Sequence, residues 1–208
     1  MAFNEYLNPE HALAYLAKAD SIPHRTEGER VLLSFVPTTA QRILDLGTGD
    51  GRLLGLLHAH CPDAHLVGLD FSPTMIDAAN ARFKGDSRAE IRRHDLNDPL
   101  PAGRCDVVVS SFAIHHCPDL RKRSLYAEIY DRLEPGGLFC NLEHVSSATD
   151  ALHTRFLDCM GATPADEDPS NILLDVHTQL QWLSEIGFAD VDCYWKWLEL
   201  ALFGGVRR

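Results

Sequence analysis

No stretch of this 208-residue chain approaches the roughly 18 consecutive apolar residues that a membrane-spanning helix needs. The opening Met1-Ala2-Phe3-Asn4-Glu5 has neither a basic start nor an apolar core, so no export signal is read and the cytoplasm is the expected location. The six cysteines, at 61, 105, 117, 140, 159 and 193, include no C-x-x-C pair. That leaves no signature of a zinc ribbon or a redox couple, and several of them sit in apolar runs where a thiol acts as a small hydrophobe. Basic charge is scarce, with 19 Lys and Arg against 30 Asp and Glu and a formal net charge of −11. The basic clusters, Arg92-Arg93 and Arg121-Lys122-Arg123, are too short to track a phosphate backbone. The balance argues against a nucleic-acid surface and for a small-molecule partner. Repeats and low-complexity tracts are absent, and the length suits a single α/β domain with its own core.

What is present is an alternation of strand and helix patterns from residue 42 onward, the signature of a doubly wound sheet. Strand-like runs fall at 42–46, 65–70, 90–94, 106–110 and 138–142. The run Asp106-Val107-Val108-Val109-Ser110 is the most β-branched and is expected at the centre. Helices are expected at about 51–60 and from Ser72-Pro73, where serine suits an N-cap and proline the first turn. Another carries Leu125, Ile129 and Leu133 on one stripe and stops at Pro135-Gly136-Gly137. Two short helices, about 9–19 and 26–36, precede the alternation and are broken at Ser21-Ile22-Pro23. A helix at 150–160 and an acidic loop from Thr163 to Asn171 follow it. Val176, Leu180, Leu183 and Ile186 then recur at helical spacing, with Gly187 as C-cap. Residues 190–202 have strand character, with direction undetermined.

The most informative segment is Ile43-Leu44-Asp45-Leu46-Gly47-Thr48-Gly49-Asp50-Gly51, where a buried strand feeds a glycine turn and the stripe Leu53, Leu54, Leu56, Leu57. A backbone stripped of side chains there lets a ligand lie close, with a helix N-terminus behind it. A dinucleotide fingerprint needs a third glycine three residues after the second, and that position holds Arg52. No tyrosine–lysine catalytic pair of the dehydrogenase type accompanies it. The glycines instead fall two apart, with an acid two residues before the first. Asp70 closes the second strand, His94-Asp95-Leu96 the third, and Leu133-Glu134-Pro135-Gly136-Gly137-Leu138 breaks the chain before the fifth. With these four elements in this order the chain resembles the class I S-adenosylmethionine-dependent methyltransferases over about residues 42–202.

The resemblance implies a Rossmann-like, seven-stranded, mostly parallel sheet with one antiparallel strand near the C-terminus. It implies one domain over 1–208, with a helical cap (1–40), a cofactor-binding core (41–145), a lid insertion (146–175) and a C-terminal helix with strands (176–208). S-adenosylmethionine is the implied cofactor and S-adenosylhomocysteine the product. Its expected contacts are Arg25, Asp45, Gly47, Thr48, Gly49, Gly51, Asp70, Phe71, Met75, Asp95, Leu96 and Ser110. Asp70 would accept both ribose hydroxyls, or merely flank the next helix. Asp95 and the Leu96 amide would hold the adenine, with Met75 either packing on it or in the core. Asp45 would face the methionine end or bond local amides. Arg25 would reach the methionine carboxylate in a forked bond, or lie solvated on the surface. Asp50 reads as an N-cap and His94 as a structural histidine.

Beyond the ends of strands four and five come His115, His116, Glu143 and His144. These are the candidates for a base or for orienting the acceptor, with His115 and Glu143 first. Two alternatives stand beside that reading: histidines that cap the following segments, and a metal site, for which imidazole is suited but which methyl transfer does not need. No metal is expected. Phe3, Tyr6, Tyr15 and Phe156 are candidates to line a substrate pocket, or are simply the apolar faces of packed helices. A non-catalytic module that binds the adenosyl cofactor, or an enzyme using it for other chemistry, is the competing function. Monomer and homodimer are equally open.

Overall fold

In the computed structural model, which describes residues 5–19 and 22–208 with the side chains of 15 and 17–19 left out, seven strands form one sheet in the order β3-β2-β1-β4-β5-β7-β6. Phe3, Ser21 and the side chain of Tyr15 lie outside the described residues. The strands are β1 (Arg42–Leu46), β2 (His65–Asp70), β3 (Ala89–Arg93), β4 (Cys105–Ser111), β5 (Leu133–His144), β6 (Phe188–Trp197) and β7 (Leu200–Arg207). The helices are α1 (Pro9–Ala19), α2 (Arg25–Phe35), α3 (Arg52–His60), α4 (Pro73–Arg82), α5 (Asp119–Arg132), α6 (Asp150–Met160) and α7 (Val176–Ile186). The first five strands pair in parallel, and β7 runs antiparallel to both β5 and β6. This is the seven-stranded, doubly wound sheet expected from the sequence.

Strand side chains alternate between two cores, as the pleat requires. Leu44, Leu46, Val108, Phe139 and Phe203 join one cluster with Leu125, Ile129 and Leu183 of α5 and α7. Ile43, Val107, Val109, Cys140 and Leu202 join the other with Leu32, Leu53 and Leu57 of α2 and α3. Because both faces are covered, the central strands read as continuous apolar runs rather than alternating ones. Among the described residues no helix is long and apolar enough to cross a membrane.

Two boundaries differ from the sequence reading. α5 ends at Arg132 and β5 begins at once at Leu133, running through Pro135-Gly136-Gly137. A register shift between Cys105 and Val107 absorbs the interruption. The proline and glycines thus mark an irregular strand entry rather than the helix stop. The C-terminal strand region is two strands, β6 and β7, joined tightly at Leu198-Glu199 and extending to Arg207. The sheet order reverses between β1 and β4, so their C-terminal ends open a crevice of the kind where open α/β sheets bind ligands.

Candidate active site

The glycine turn sits at that crevice. Gly47 and Gly49 have φ of 69° and 56°, a region costly for side chains other than glycine. They differ in surroundings: a Cβ on Gly47 would lie 2.2 Å from Ala113 Cβ, whereas one on Gly49 meets nothing within 4 Å. Gly47 therefore serves the packing of the turn as well as ligand approach, and Gly49 leaves open space over the cleft. Gly51 is turned away from the cleft, against Phe83 and Ala79, and is the N-cap of α3. This corrects its expected cofactor contact. The position expected of Asp50 is thereby taken, though its carboxylate still accepts the Arg52 amide at 3.2 Å and pairs with Arg82.

The glycine turn borders a cleft that opens to solvent. Of the expected contacts, Arg25, Asp45, Gly47, Thr48, Gly49, Asp70, Phe71, Met75, Asp95 and Leu96 all line it. Ser110 does not. Its Oγ donates to the Leu46 carbonyl inside the sheet at 2.8 Å, and the pleat gives the cleft Ser111 instead. Asp70, 8% exposed, accepts the Gly49 amide at 2.8 Å and the Ser72 amide at 2.9 Å. It thus ties the glycine turn to the start of α4. Burial raises its carboxyl pKa, with those amides opposing.

Asp45 is almost fully buried, and Thr48 Oγ1 donates to its Oδ2 at 2.7 Å. Burial pushes its pKa up to about 7, with Asp70 adding to the rise and Thr48 and Arg25 opposing it. Its Oδ1 has no hydrogen-bond partner, nor have His94 Nε2 and Ser111 Oγ, and all three residues line the cleft. Unpaired buried polar atoms are costly, so three around one cleft mark it as a site for a polar ligand. His94 was read as structural; its position brings it to the cleft wall.

Arg25 is no surface residue. It is 6% exposed, donates from Nε to Glu29 Oε1 at 3.1 Å, and lies over the Phe112 ring at 5.3 Å. Glu29 is 2% exposed and also accepts Arg52 Nε at 2.8 Å, joining α2 to α3 at the cleft's edge. On the other side, Asp95 folds its own loop by accepting the Asn97 amide at 2.9 Å. Arg121 fixes that loop by donating to the carbonyls of Leu96 at 2.6 Å and Asp98 at 2.8 Å. Sequence reasoning missed Glu29 and Arg121. The i,i+4 spacing of Arg25 and Glu29 was the available signal for the first, and nothing local pointed to the second.

A second cavity, also open to solvent, adjoins the first and shares Tyr6 and Phe112 with it. Phe112 has φ 54°, a strained value for a bulky side chain. Of the four catalytic candidates, His115 and His144 line this second cavity, while His116 lines the cleft. Glu143 lines neither. It is 1% exposed and spent on support: its Oε1 takes His115 Nδ1 at 2.5 Å and the His144 amide at 2.9 Å, and its Oε2 takes the His115 amide at 3.0 Å. Burial alone would raise its pKa, but His115 and these donors hold it below the usual carboxylate value. It can position His115 and cannot itself reach an acceptor.

His116 bonds at Nδ1 with Ser170 and packs edge-on against Tyr6. Burial and the neighbouring His115 push its pKa down to about 3, so it is neutral at working pH. His144 Nε2 meets Glu199 Oε2 at 3.0 Å, and Glu199 Oε1 meets His153 Nδ1 at 2.9 Å. Glu199, fully buried at the β6–β7 turn, was not foreseen. The histidines are therefore directed at separate carboxylates and carbonyls, and among the described residues no group of three or more His, Cys, Asp or Glu is arranged around a metal. Phe156 does line the second cavity beside Tyr6.

Residues 43–137 match the family model for a methyltransferase domain. The demethylmenaquinone methyltransferase of Thermus thermophilus is 38% identical over 107 residues, covering 50% of this chain and 47% of that protein. The carboxy-S-adenosyl-L-methionine synthase of Helicobacter hepaticus is 24% identical over 201 residues, covering 86% and 84%. Among solved structures, an O-methyltransferase family protein from Burkholderia thailandensis superposes with a TM-score of 0.74 at 21% identity, covering 100% of this chain and 64% of that one. The chain spans between 40% and 47% of the length of the first three curated relatives it matches. The family match covers the glycine turn, Asp70 and the Asp95 loop, and ends before Glu143 and the second cavity's far wall. The matched methyltransferase segment, the sheet order and the residues gathered at the β1–β4 crevice together support a class I S-adenosylmethionine-dependent methyltransferase.

Proposed function

We propose that the chain binds S-adenosylmethionine in the cleft and transfers its methyl group to a small-molecule acceptor held in the second cavity. When bound, the cofactor supplies an electrophilic methyl on a sulfonium. The chain's residues do the rest. Asp70 is placed to accept the ribose hydroxyls, and Asp95, Leu96 and Met75 to bracket the adenine. Arg25 is placed to take the carboxylate of the methionine moiety. The unpartnered oxygen of Asp45 faces the same end, where it favours positive charge.

The observation that carries the reading is His115. It lies in the second cavity, beside the shared wall of Tyr6 and Phe112, with Glu143 buried behind it. With Nδ1–H donating to Glu143, the tautomer leaves Nε2 unprotonated and able to take a proton. The cofactor would supply its methyl to an acceptor hydroxyl, and the acceptor would have to give up its proton to the protein. The hydroxyl proton passes to His115 Nε2. His144, fixed by Glu199, and neutral His116 line the approach and orient the acceptor. Residues 146–175 and the N-terminal helices form the lid of this cavity, which keeps the transfer dry.

A second reading, adenosyl-cofactor chemistry other than methyl transfer, is favoured by one observation. The carboxy-S-adenosyl-L-methionine synthase match extends over most of both chains. Incubation with methyl-labelled cofactor and a metabolite pool separates the two. Methyl transfer puts the label on a new acceptor and yields S-adenosylhomocysteine. A product that keeps the label on the adenosyl compound would replace this proposal with the second reading.

A further inference from the structure

The cofactor cleft crosses four strands in the sheet order β3-β2-β1-β4, and its polar groups fall along it strand by strand. Asp45 stands on β1, Asp70 ends β2 and Ser111 ends β4. His94 follows β3 directly, and its amide donates to the Asp70 carbonyl at 2.8 Å. That bond sets His94 one strand beyond Asp70, a step of about 5 Å. With the ribose on Asp70, the group one step farther from the methionine end is the purine. We propose that His94 recognises the cofactor's base, its Nε2–H donating to a ring nitrogen of the adenine. The proposal rests on the cofactor reading and deepens it.

His94 lines the cleft, and its Nε2 is buried there without a hydrogen-bond partner among the described residues. The histidines at the acceptor end differ in this: His115 is tied to Glu143, His116 to Ser170 and His144 to Glu199. A buried ring nitrogen with no protein partner is a standing cost that a bound ligand removes by supplying one. The chemistry of the neighbours fixes what that ligand atom is. A purine ring nitrogen only accepts, so the Asp95 carboxylate, which also only accepts, cannot serve it and suits the amino group instead. A neutral imidazole protonated at Nε2 supplies the missing donor. Met75, 2% exposed, adds an apolar wall of the same cleft. The other two orphaned groups, Asp45 and Ser111, stand two and three strands away from β3 and belong to the methionine end.

Calorimetry with S-adenosylhomocysteine comes first; no binding there removes the cofactor reading itself, before the base is varied. Its 1-deaza, 3-deaza and 7-deaza analogues, each with one purine nitrogen replaced by C–H, are then titrated into the same protein. At least one should bind about tenfold more weakly, the reach of a hydrogen bond whose buried donor is left unpaired. In His94→Leu and in His94→Asn, whose amide is too short to reach, that penalty should vanish and S-adenosylhomocysteine itself should weaken by the same factor. His94→Gln, with an N–H of similar reach, should keep part of the penalty. Two variants that remove the donor let the test survive the loss of one to misfolding. Three analogues that bind the unaltered protein as tightly as S-adenosylhomocysteine would overturn the proposal without any variant. So would a folded His94→Leu or His94→Asn that keeps full affinity, or that leaves every analogue's penalty unchanged.

Discussion

Asp45 offers the sharpest test of the site, because its two predicted effects have opposite signs. Its carboxyl rises from 3.8 to about 7, chiefly through burial. At about 1.4 kcal/mol per unit, ionising it in the ligand-free fold costs on the order of 4 kcal/mol relative to the unfolded chain. Between pH 3.8 and about 7 the folded state binds more protons than the unfolded one. This group's contribution to stability therefore falls as pH rises through that window and is flat above it. Asp45→Asn removes the titration and can still accept the Thr48 hydroxyl. The variant should be more stable than the parent at pH 8.5, by up to about 4 kcal/mol, and the difference should shrink toward pH 4.

Cofactor binding should show the reverse. A positively charged ligand beside Asp45 favours its ionised form, so binding near pH 7 should release a proton and strengthen as pH rises. Urea denaturation across that range reads the first effect. Calorimetry in two buffers of different ionisation heat reads the second. If Asp45→Asn is no more stable at pH 8.5 and binds S-adenosylmethionine as tightly as the parent, Asp45 is a turn residue and its orphaned oxygen has no functional meaning.

Asp70→Ala should weaken cofactor binding by about 1.5–3 kcal/mol, the value of a charged acceptor; undiminished affinity in calorimetry would remove its ribose role. Replacing Gly49 with alanine should weaken cofactor binding and cost only the backbone strain of its left-handed φ, about 1–2 kcal/mol, since a Cβ there meets no atom within 4 Å. Gly47→Val should lower the melting temperature as well, because its Cβ strikes Ala113; equal melting temperatures for the two variants would contradict this division. His115→Ala should reduce turnover by about 10²–10⁴-fold while leaving cofactor affinity intact. Glu143→Gln should lower turnover without touching cofactor affinity, and turnover unchanged in both variants would mark the pair as structural.

The sequence by itself determined the sheet class, the order of elements and most of the cofactor side, because those features are local. A buried strand, a glycine turn and an amphipathic helix announce themselves within about twenty residues, and Asp70 and Asp95 are set by their strand ends. Where a single pleat decides the outcome, the sequence was a step out: Ser111 rather than Ser110 meets the cleft, since adjacent strand residues face opposite ways. The acceptor side depended on pairs far apart in the chain. Glu143 meets His115 across two strands, and Glu199 reaches His144 and His153 only because the β6–β7 turn folds back beneath α6. The residue types at 115, 143 and 144 were readable as chemistry, but not which of them would touch an acceptor. For Glu143 burial decides its surroundings: it is enclosed by four donors, from the side chains of His115 and Asn141 and the amides of His115 and His144, so it stands behind His115, a placement that only the meeting of β4 and β5 ends creates.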